Sequence, residues 1–384
     1  MKNFIYQNPV KILFGKGQIA RLQAEVPKGS KVMMTYGGGS IFKNGVYNQV
    51  TEALKGFQVV EFGGIEPNPQ YETLMQAVLV AREQRVDFLL AVGGGSVIDG
   101  TKFIAAAIPF EGEPWDILAK GARVRGAVKL GAVLTLPATG SEMNSNAVVT
   151  NATLHRKLAF ASPFVYPVFS VLDPEVTYSL PKRQVANGLV DSFVHVMEQY
   201  MTIPGDAPLN DRLSESILKT LIELTPVALS DSPDYENRAN LMWSSTMALN
   251  GLIGLGVPND WATHGIGHEL TALHGIDHAV TLAIVLPGLL RVMKDQKRVK
   301  LLQYGERIWG VSEGSEEERI EKSIQLTEDF FRSTGILTRL SEHNVGMDTI
   351  NEIFNRFNAP GARRLGELGN IDAEKIKQIL LTRL

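Results

Sequence analysis

The chain has 384 residues, enough for two domains, and its apolar fraction of 44% and charged fraction of 21% are ordinary for a globular protein. A formal net charge of −3 gives no electrostatic basis for binding nucleic acid or an anionic membrane. Because the chain contains no cysteine, disulfides, thiolate nucleophiles, iron–sulfur clusters and cysteine zinc sites are excluded, and any metal must have nitrogen and oxygen ligands. The amino terminus lacks the apolar core and cleavage site of a signal peptide, which predicts a cytoplasmic protein.

The first half of the chain alternates short apolar strands with helical patterns. Strands are predicted at residues 31–36, 58–62, 87–92, 132–136 and 168–172, and helices at 71–85 and 97–108. Alternation of this kind indicates a mostly parallel sheet covered by helices on both faces, as in Rossmann-like domains.

Strand signals stop at about residue 180, and helical patterns continue to the end of the chain. One predicted helix spans 315–334, where Ser315 and Glu318 have the spacing of a capping box. Its predicted buried stripe consists of Ile320, Ile324, Thr327 and Phe331. We therefore predict an α/β domain at residues 1–178 and an all-α domain at residues 179–384.

Two glycine turns follow predicted strands. They consist of Gly37, Gly38, Gly39 and Ser40, and of Gly93, Gly94, Gly95 and Ser96. Such a turn before a helix lets backbone N–H groups approach an anion, and the helix N-terminus adds positive potential. The second turn opens a predicted helix in which Ser96 and Asp99 have capping-box spacing. Neither turn has the third glycine of G-x-G-x-x-G, so each is either a pyrophosphate site or a tight turn without a ligand.

Other polar residues near these turns have two interpretations. Glu61, at the end of the second strand, is either the ribose ligand of an NAD site or a solvated carboxylate. Thr135, Thr139 and Ser141 surround a Pro/Gly turn, where their hydroxyl groups either line a nucleotide or satisfy the turn's own amides.

Histidine is concentrated in one short segment. Four of the seven histidines lie there, at His264, His268, His274 and His278. Upstream, Asp191 and His195 stand at i and i+4 and would share one face of a helix. A carboxylate with several imidazoles predicts a divalent metal site, although spacing does not choose among the four downstream histidines. No His-Glu-x-x-His motif is present, which argues against a zincin protease.

With these motifs together, the chain resembles the iron-containing (group III) alcohol dehydrogenase family over essentially its whole length. The resemblance is to the NADPH-dependent aldehyde reductase and butanol dehydrogenase subgroup, and it implies the dehydroquinate synthase-like architecture. The matching segments are FGGIEPNP (62–69), AVGGGSVIDGTKFIA (91–105), LPATGSE (136–142), VLDP (171–174), NGLVDSFVHVMEQY (187–200) and GVPNDWATHGIGHELTALHGIDHA (256–279).

The resemblance implies a divalent metal, Fe²⁺ or Zn²⁺. Its expected ligands are Asp191, His195, His264 and His278. His268 is then left near the nicotinamide and the substrate as the candidate catalytic residue, and His274 is not a ligand. The proton for the reaction would come from His268 or from water relayed through the cofactor ribose.

The resemblance also implies that NADP(H) is the cofactor. Gly94, Gly95 and Ser96 are expected to contact the pyrophosphate, and Asp99 follows them in the same helix. Thr135 and Thr139 are expected on the adenine side, and Lys157 near the nicotinamide ribose. The turn at Gly37–Ser40 lacks the carboxylate that repels a 2′-phosphate in NAD-preferring relatives, and Lys43 is either a phosphate partner or a solvated lysine. Because the second turn becomes the pyrophosphate site, Glu61 is no longer expected to bind the ribose.

The implied activity is hydride transfer between the nicotinamide and a short- to medium-chain aldehyde or primary alcohol, with the metal as Lewis acid. Three alternatives remain: a glycerol or polyol dehydrogenase of the same fold, a dehydroquinate synthase-like lyase, and a non-catalytic metal- or nucleotide-binding protein. Family precedent also implies a homodimer, joined by edge strands near the N-terminus.

Overall fold

The computed structural model describes residues 1–384, which divide into two compact units. The α/β unit comprises residues 7–181 and 231–250, and the helical unit comprises residues 1–6, 182–230 and 251–384. None of the helices combines the length and the apolar character that crossing a membrane requires.

The α/β unit contains all the strands. They are β1 (Lys11–Phe14), β2 (Lys31–Tyr36), β3 (Gln58–Phe62), β4 (Phe88–Gly94), β5 (Lys129–Leu136), β6 (Asn146–Asn151), β7 (Arg156–Ala161) and β8 (Phe169–Leu172). Six form a parallel sheet in the order β1-β8-β5-β4-β2-β3, while β6 and β7 pair as an antiparallel hairpin. The Rossmann-like, mostly parallel class predicted from the sequence is therefore confirmed.

The sheet is buried on both faces because successive side chains of a strand point to opposite sides. Met33 of β2 and Leu89 of β4 pack into the core on one face, against the helices at Tyr71–Gln84 and Gly95–Ala107. Met34 and Leu90, the next residues, pack into a separate core on the other face. This burial on both sides explains why the strands read as nearly continuous apolar runs.

Fifteen α-helices complete the chain. They are α1 (Leu22–Glu25), α2 (Ser40–Lys43), α3 (Val46–Ala53), α4 (Tyr71–Gln84), α5 (Gly95–Ala107), α6 (Asp116–Ala119), α7 (Lys182–Tyr200), α8 (Pro208–Ala228), α9 (Tyr235–Ala248), α10 (Ala262–His274), α11 (His278–Val292), α12 (Lys294–Trp309), α13 (Glu316–Ser333), α14 (Met347–Asn358) and α15 (Ala373–Leu381). The helical unit contains α7, α8 and α10 to α15, and α9 belongs to the α/β unit.

The predicted capping box of α13 is confirmed. The Ser315 side chain accepts a hydrogen bond from the Glu318 backbone N–H, and the Glu318 carboxylate accepts one from the Ser315 backbone N–H. The predicted stripe on this helix is buried. Helix α4 ends at Gln84, and the next residue, Arg85, takes the left-handed conformation (φ 53°) that glycine usually supplies.

The capping box predicted for Ser96 and Asp99 is wrong. Helix α5 begins at Gly95, and both side chains bond to distant parts of the chain. Ser96 Oγ accepts from the Asn68 N–H (3.3 Å), while Asp99 accepts from Ser141 Oγ (2.5 Å) and from the Val148 N–H (2.9 Å). Tertiary partners therefore replace the local cap that the spacing indicated.

The β6–β7 hairpin and the edge strand β1 were not predicted from the sequence. The hairpin turn contains no glycine, and His155 supplies its positive φ of 47°. The usual Asn-Gly or Asp-Gly signal of a tight hairpin is therefore missing. Strand β1 is only four residues long, which is too short for an alternation pattern to be recognised.

Candidate metal centre and dinucleotide site

Three helices of the helical unit bring a carboxylate and three imidazoles together. Asp191 and His195 lie one turn apart on α7, His264 lies in the first turn of α10, and His278 is the first residue of α11. The Nε2 atoms of His195, His264 and His278 lie 3.5, 3.9 and 3.8 Å from Asp191 Oδ1. The three imidazoles that the resemblance implied as ligands thus surround one carboxylate oxygen of the fourth implied ligand, Asp191.

The donor set fits a divalent cation. Asp191 Oδ1 is buried and accepts no hydrogen bond from the protein. A buried carboxylate oxygen without a hydrogen-bond donor is costly, because the water it has lost is not replaced. A cation among these four side chains would satisfy it, and one carboxylate with three imidazoles is a ligand set that Fe²⁺ and Zn²⁺ accept.

The break between α10 and α11 separates His274 from His278. Gly275 ends α10 in the left-handed conformation (φ 66°), and the chain turns before α11 begins at His278. Asp277 is held by Arg183 and Asn187 of α7, at 2.6 Å from the arginine Nη2 and 2.8 Å from the asparagine Nδ2. His278 is thereby directed to the centre, whereas His274 Nε2 lies 2.8 Å from Thr349 Oγ1, away from it.

His268 lies beside the centre and outside the group of candidate ligands. It follows His264 by one turn of α10, and the centroids of the two rings are 6.1 Å apart. Its ring centroid is 5.3 Å from that of His278. This position is compatible with a role next to the reacting groups.

Glu198 is a further residue of the centre that the sequence analysis missed. Its carboxylate accepts a short hydrogen bond from His264 Nδ1, and it also accepts from the His264 backbone N–H at 3.2 Å. An Nδ1–H donated to a carboxylate leaves Nε2 free of a proton and directed to a metal. With Asp191 and His195, Glu198 follows an i, i+4, i+7 spacing that places all three on one face of α7, and this signal could have identified it.

Burial raises the pKa of Glu198 to about 8, and the hydrogen bond from the His264 backbone acts in the opposite direction. A cation at Asp191 would also favour the ionised form of Glu198, because nearby positive charge stabilises a carboxylate.

Replacing Glu198 with glutamine is expected to weaken metal binding. Glutamine keeps one oxygen but removes the negative charge that accepts strongly from the His264 ring, and changes in such outer partners cost about 10- to 100-fold in metal affinity. Chelator competition with Zn²⁺ measures the effect. Glu215→Gln is the control, because this buried glutamate of the same unit bonds to Tyr200 and Gln303 instead of a histidine. Equal affinities for the two variants would contradict the role of Glu198.

The two glycine turns lie next to each other in the α/β unit. They follow β2 and β4, which are neighbouring parallel strands, with Tyr36 paired to Val92. From β2 the chain continues to β3 on one side, whereas from β4 it continues to β5 and β8 on the other. The turns therefore flank the point at which the strand order reverses, where open α/β sheets bind their ligands.

The second turn is built for close backbone packing. A Cβ atom at Gly95 would lie 2.3 Å from Thr139 Oγ1, and one at Gly93 would lie 2.5 Å from Val97 Cγ2. Helix α5 starts without a side-chain cap. Its first-turn N–H groups are therefore available to an anion, which fits a dinucleotide pyrophosphate.

Replacing Gly95 with alanine is expected to raise the KM for NADPH. The added methyl group would force Thr139 and the turn apart, and overpacking of this kind costs about 1–3 kcal/mol, which corresponds to roughly 5- to 150-fold in binding. Steady-state kinetics with varied NADPH measures the change. Gly126→Ala is the control, since an added Cβ there meets no atom within 4 Å. An unchanged KM for Gly95→Ala would be inconsistent with a phosphate site at this turn.

Asn68 connects two of the predicted cofactor residues and was missed in the sequence analysis. Its Oδ1 accepts a hydrogen bond from Lys157 Nζ of β7 (2.7 Å), and its backbone N–H donates to Ser96 Oγ. The residue has a positive φ of 57° within the FGGIEPNP segment. Lys157 is thereby brought to the start of α5, although it is distant in sequence.

The structure places the remaining predicted cofactor residues at the same edge of the sheet or beside it. Thr135 lies near the end of β5 and Thr139 in the turn after it, where its hydroxyl accepts from the Ser141 N–H. Asp99 has both carboxylate oxygens engaged by protein donors and ties α5 to β6. Glu61 accepts hydrogen bonds from the phenols of Tyr36 and Tyr47, which gives this carboxylate a structural role.

Two family models match the chain. Residues 9–174 match the model for iron-containing alcohol dehydrogenase, and residues 185–383 match the C-terminal domain of the Fe-containing alcohol dehydrogenase family. The chain belongs to the iron-containing alcohol dehydrogenase family. The resemblance predicted from the motifs is therefore confirmed.

Individual family members are similar over the full length. The NADPH-dependent aldehyde reductase YqhD of Escherichia coli K12 is 55% identical, over 99% of both chains. A crystal structure of E. coli K-12 YqhD superposes with a TM-score of 0.98 at 54% identity, covering 100% of this chain and 99% of that one. The NADH-dependent butanol dehydrogenase A of Thermotoga maritima gives a TM-score of 0.95 at 36% identity, with 100% and 99% coverage.

Proposed function

We propose that this protein is a metal-dependent NADPH-linked aldehyde reductase that interconverts short- to medium-chain aldehydes and primary alcohols. The convergence of three imidazoles on the buried oxygen of Asp191 is the observation that carries this proposal. The relatives named above as an aldehyde reductase and a butanol dehydrogenase support the substrate class.

Asp191, His195, His264 and His278 would hold the metal, Fe²⁺ or Zn²⁺. When bound, the ion would supply Lewis-acid chemistry for an aldehyde carbonyl, and NADPH would supply the hydride. Asp191 and the three neutral imidazoles would leave the centre with a net charge of about +1, which attracts an electron-rich oxygen. Glu198 keeps the His264 ring in the orientation that this requires.

For the cofactor, we propose Gly94, Gly95 and Ser96 at the pyrophosphate, with Thr135, Thr139 and Lys157 at the remaining parts of the dinucleotide. Asp99 would support them through its bonds to Ser141 and β6.

We propose that NADPH is preferred over NADH because the first turn carries no acidic side chain. Gly37, Gly38, Gly39 and Ser40 are uncharged, and Lys43 is exposed one turn later. A 2′-phosphate would meet no like charge there. Rates with NADPH and NADH at equal concentration test this preference, and a faster rate with NADH would reject it.

His268 is proposed as the proton donor, directly or through a water molecule. The His268→Ala variant should lose the pH dependence of kcat that this group provides. His274→Ala is the matched control on the same helix, because His274 bonds to Thr349 and lies outside the centre. An unchanged pH profile in His268→Ala would leave the cofactor ribose and water as the proton source.

A homodimer is proposed through the edge of the sheet. Strand β1 pairs with β8 alone, so its other edge presents unpaired backbone groups. Beside it, the rings of Phe14 and Trp243 pack at 5.9 Å while remaining 38% and 40% exposed. Sedimentation velocity should show a dimer that Phe14→Glu dissociates; a monomeric parent protein would reject the proposal.

We also propose the cytoplasm as the site of action, because a reaction that consumes NADPH depends on the pool of that cofactor. Detection of the native protein in the soluble fraction of its cells would support this, and its recovery from outside the cell would reject it.

The proposed activity is tested by NADPH oxidation with butanal. The rate should be steady, should fall when a chelator removes the metal and should return with Fe²⁺ or Zn²⁺. A polyol dehydrogenase would instead show its highest kcat/KM with glycerol as substrate. A lyase would consume no net NADPH, and a binding protein would show no turnover with any of these substrates.

A further inference from the structure

A cluster of buried charges lies in the helical unit, outside the set of proposed ligands. The Lys297 cluster consists of Lys297 on α12, Asp260 just before α10, and Glu367 in the segment between α14 and α15. Lys297 Nζ lies 2.8 Å from Asp260 Oδ2 and 3.1 Å from each Glu367 oxygen, and it donates to the Met201 carbonyl at 2.7 Å. The side chains of Lys297 and Glu367 are 1% and 0% exposed. Burying a charge away from water costs free energy of folding unless an opposite charge is next to it. Removing one member of the cluster would therefore leave a buried charge without its partner.

The cluster holds the start of α10. Asp260 Oδ1 accepts from the backbone N–H of Ala262, the first residue of this helix, at 2.9 Å. The Asp260 backbone N–H donates a hydrogen bond of 2.8 Å to the backbone carbonyl of Glu198 on α7. His264 lies in the turn that these bonds fix. The cluster thus joins α12 to the first turn of α10, which carries the proposed ligand His264. It also joins α12 to Glu198, the residue that orients the His264 ring.

The segment that carries Glu367 also packs on α10. Leu365 lies against Gly265, where an added Cβ would be 3.0 Å from Leu365 Cδ1. Leu365 and Ile371 exchange two backbone hydrogen bonds of 2.9 and 3.1 Å, which close the turn around Glu367. Gly265, the residue after His264, therefore packs directly against this segment. Lys297 holds the same segment in place through its bonds to Glu367.

We propose that Asp260, Lys297 and Glu367 are positioning residues for the metal centre, which fix His264 by holding the first turn of α10 and so set how tightly the ion is bound. This inference rests on the proposed metal centre. A ligand must be held within about 0.5 Å of its productive position, and outer partners of metal ligands change affinity by about 10- to 100-fold.

The test is Zn²⁺ affinity by chelator competition on the full-length protein, together with the visible spectrum of the Co²⁺-loaded form. Lys297→Met should weaken Zn²⁺ binding by about 10-fold or more and alter the Co²⁺ spectrum. Glu367→Gln should give a smaller change in the same direction, because a glutamine oxygen still accepts from Lys297. This second variant also carries the test if Lys297→Met does not fold.

Lys300→Met is the matched control. Lys300 lies three residues further along α12, is also buried, and pairs with Asp211 of α8 while its Nζ sits 4.8 Å above the Tyr200 ring. Both lysine variants are expected to lower thermal stability, but Lys300→Met should keep its Zn²⁺ affinity within about threefold and its Co²⁺ spectrum unchanged.

The proposal is overturned if Lys297→Met and Glu367→Gln bind Zn²⁺ as the parent protein does. It is also overturned if Lys300→Met weakens binding equally, since the effect would then be general destabilisation. A parent protein that binds neither Zn²⁺ nor Co²⁺ would reject the metal centre itself, and this result is distinct from a failure of the Lys297 cluster alone.

Discussion

Asp191→Asn is expected to abolish stoichiometric metal binding and to lower kcat/KM for butanal by about 10³-fold or more, equivalent to roughly 4 kcal/mol of lost transition-state stabilisation. The substitution keeps the shape of the side chain and removes its charge. The Nε2 atoms of His195, His264 and His278 all approach Asp191 Oδ1, so the substitution removes the charge at the point where the three imidazoles meet. Metal analysis and steady-state kinetics measure the two effects.

Asp211→Asn is the control for this prediction. Asp211 is a partly buried aspartate of the same helical unit whose partners are Lys300 and Gln303. Its replacement should leave metal content intact and activity within about threefold. Full metal content and full activity in Asp191→Asn would show that the ion is bound elsewhere.

Arg383→Met is expected to lower the free energy of unfolding by about 3 kcal/mol, the low end of the range for breaking a buried ion pair, because Glu328 keeps its ion pairs with Arg291 and Arg339. The Arg383 guanidinium is fully buried and bonds to Glu328, to the Ile284 carbonyl (2.8 Å) and to the Thr338 carbonyl (2.9 Å). One side chain near the end of the chain thus joins α11, α13 and the segment after α13. Urea unfolding of the metal-free protein measures the loss.

Arg332→Met provides the comparison, since Arg332 pairs with Glu342 at the surface, where ion pairs contribute about 0–1 kcal/mol. If the two arginine variants unfold at the same urea concentration, the buried pair has no special importance for stability.

The same pair predicts a pH dependence of stability. Burial acts to raise the pKa of Glu328, but the hydrogen bond and charge of Arg383, together with the Thr338 hydroxyl and the charge of Arg339, outweigh it and lower that pKa to about 2. A depressed carboxyl pKa contributes stability that is present above the unfolded-state value near 4.5 and is lost as the pH falls towards 2. The free energy of unfolding of the parent protein should therefore fall as the pH is lowered from about 4.5 to about 2, and in Glu328→Gln part of this fall should be absent.

The main features of the fold were predictable because they rest on local patterns. The apolar runs of β2 and β4 identify strands buried on both faces, and the Ser315–Glu318 spacing identifies the start of α13. The β6–β7 hairpin was missed because its turn uses His155 in place of glycine. The Ser96–Asp99 cap failed because both side chains found partners in distant segments.

The candidate site was only partly predictable from spacing. Spacing identified Asp191 and His195 as a pair but did not decide which of the four downstream histidines bind the metal. The family resemblance implied that His264 and His278 are the ligands. The geometry adds the physical reason, since Gly275 ends α10 and Asp277, held from α7, directs His278 to the centre. The spacing on α7 places Glu198 on the same face as Asp191 and His195, but it does not say which histidine Glu198 contacts, because that partner, His264, lies 66 positions away.

The most direct test of the central claim is anomalous diffraction from crystals of the purified protein, recorded on both sides of the iron and zinc absorption edges. We expect one peak per chain, about 2.0–2.2 Å from the Asp191 carboxylate and from the Nε2 atoms of His195, His264 and His278. A centre without a peak after loading with either metal, or a peak bound by His268 or His274 in place of one of these ligands, would contradict the claim.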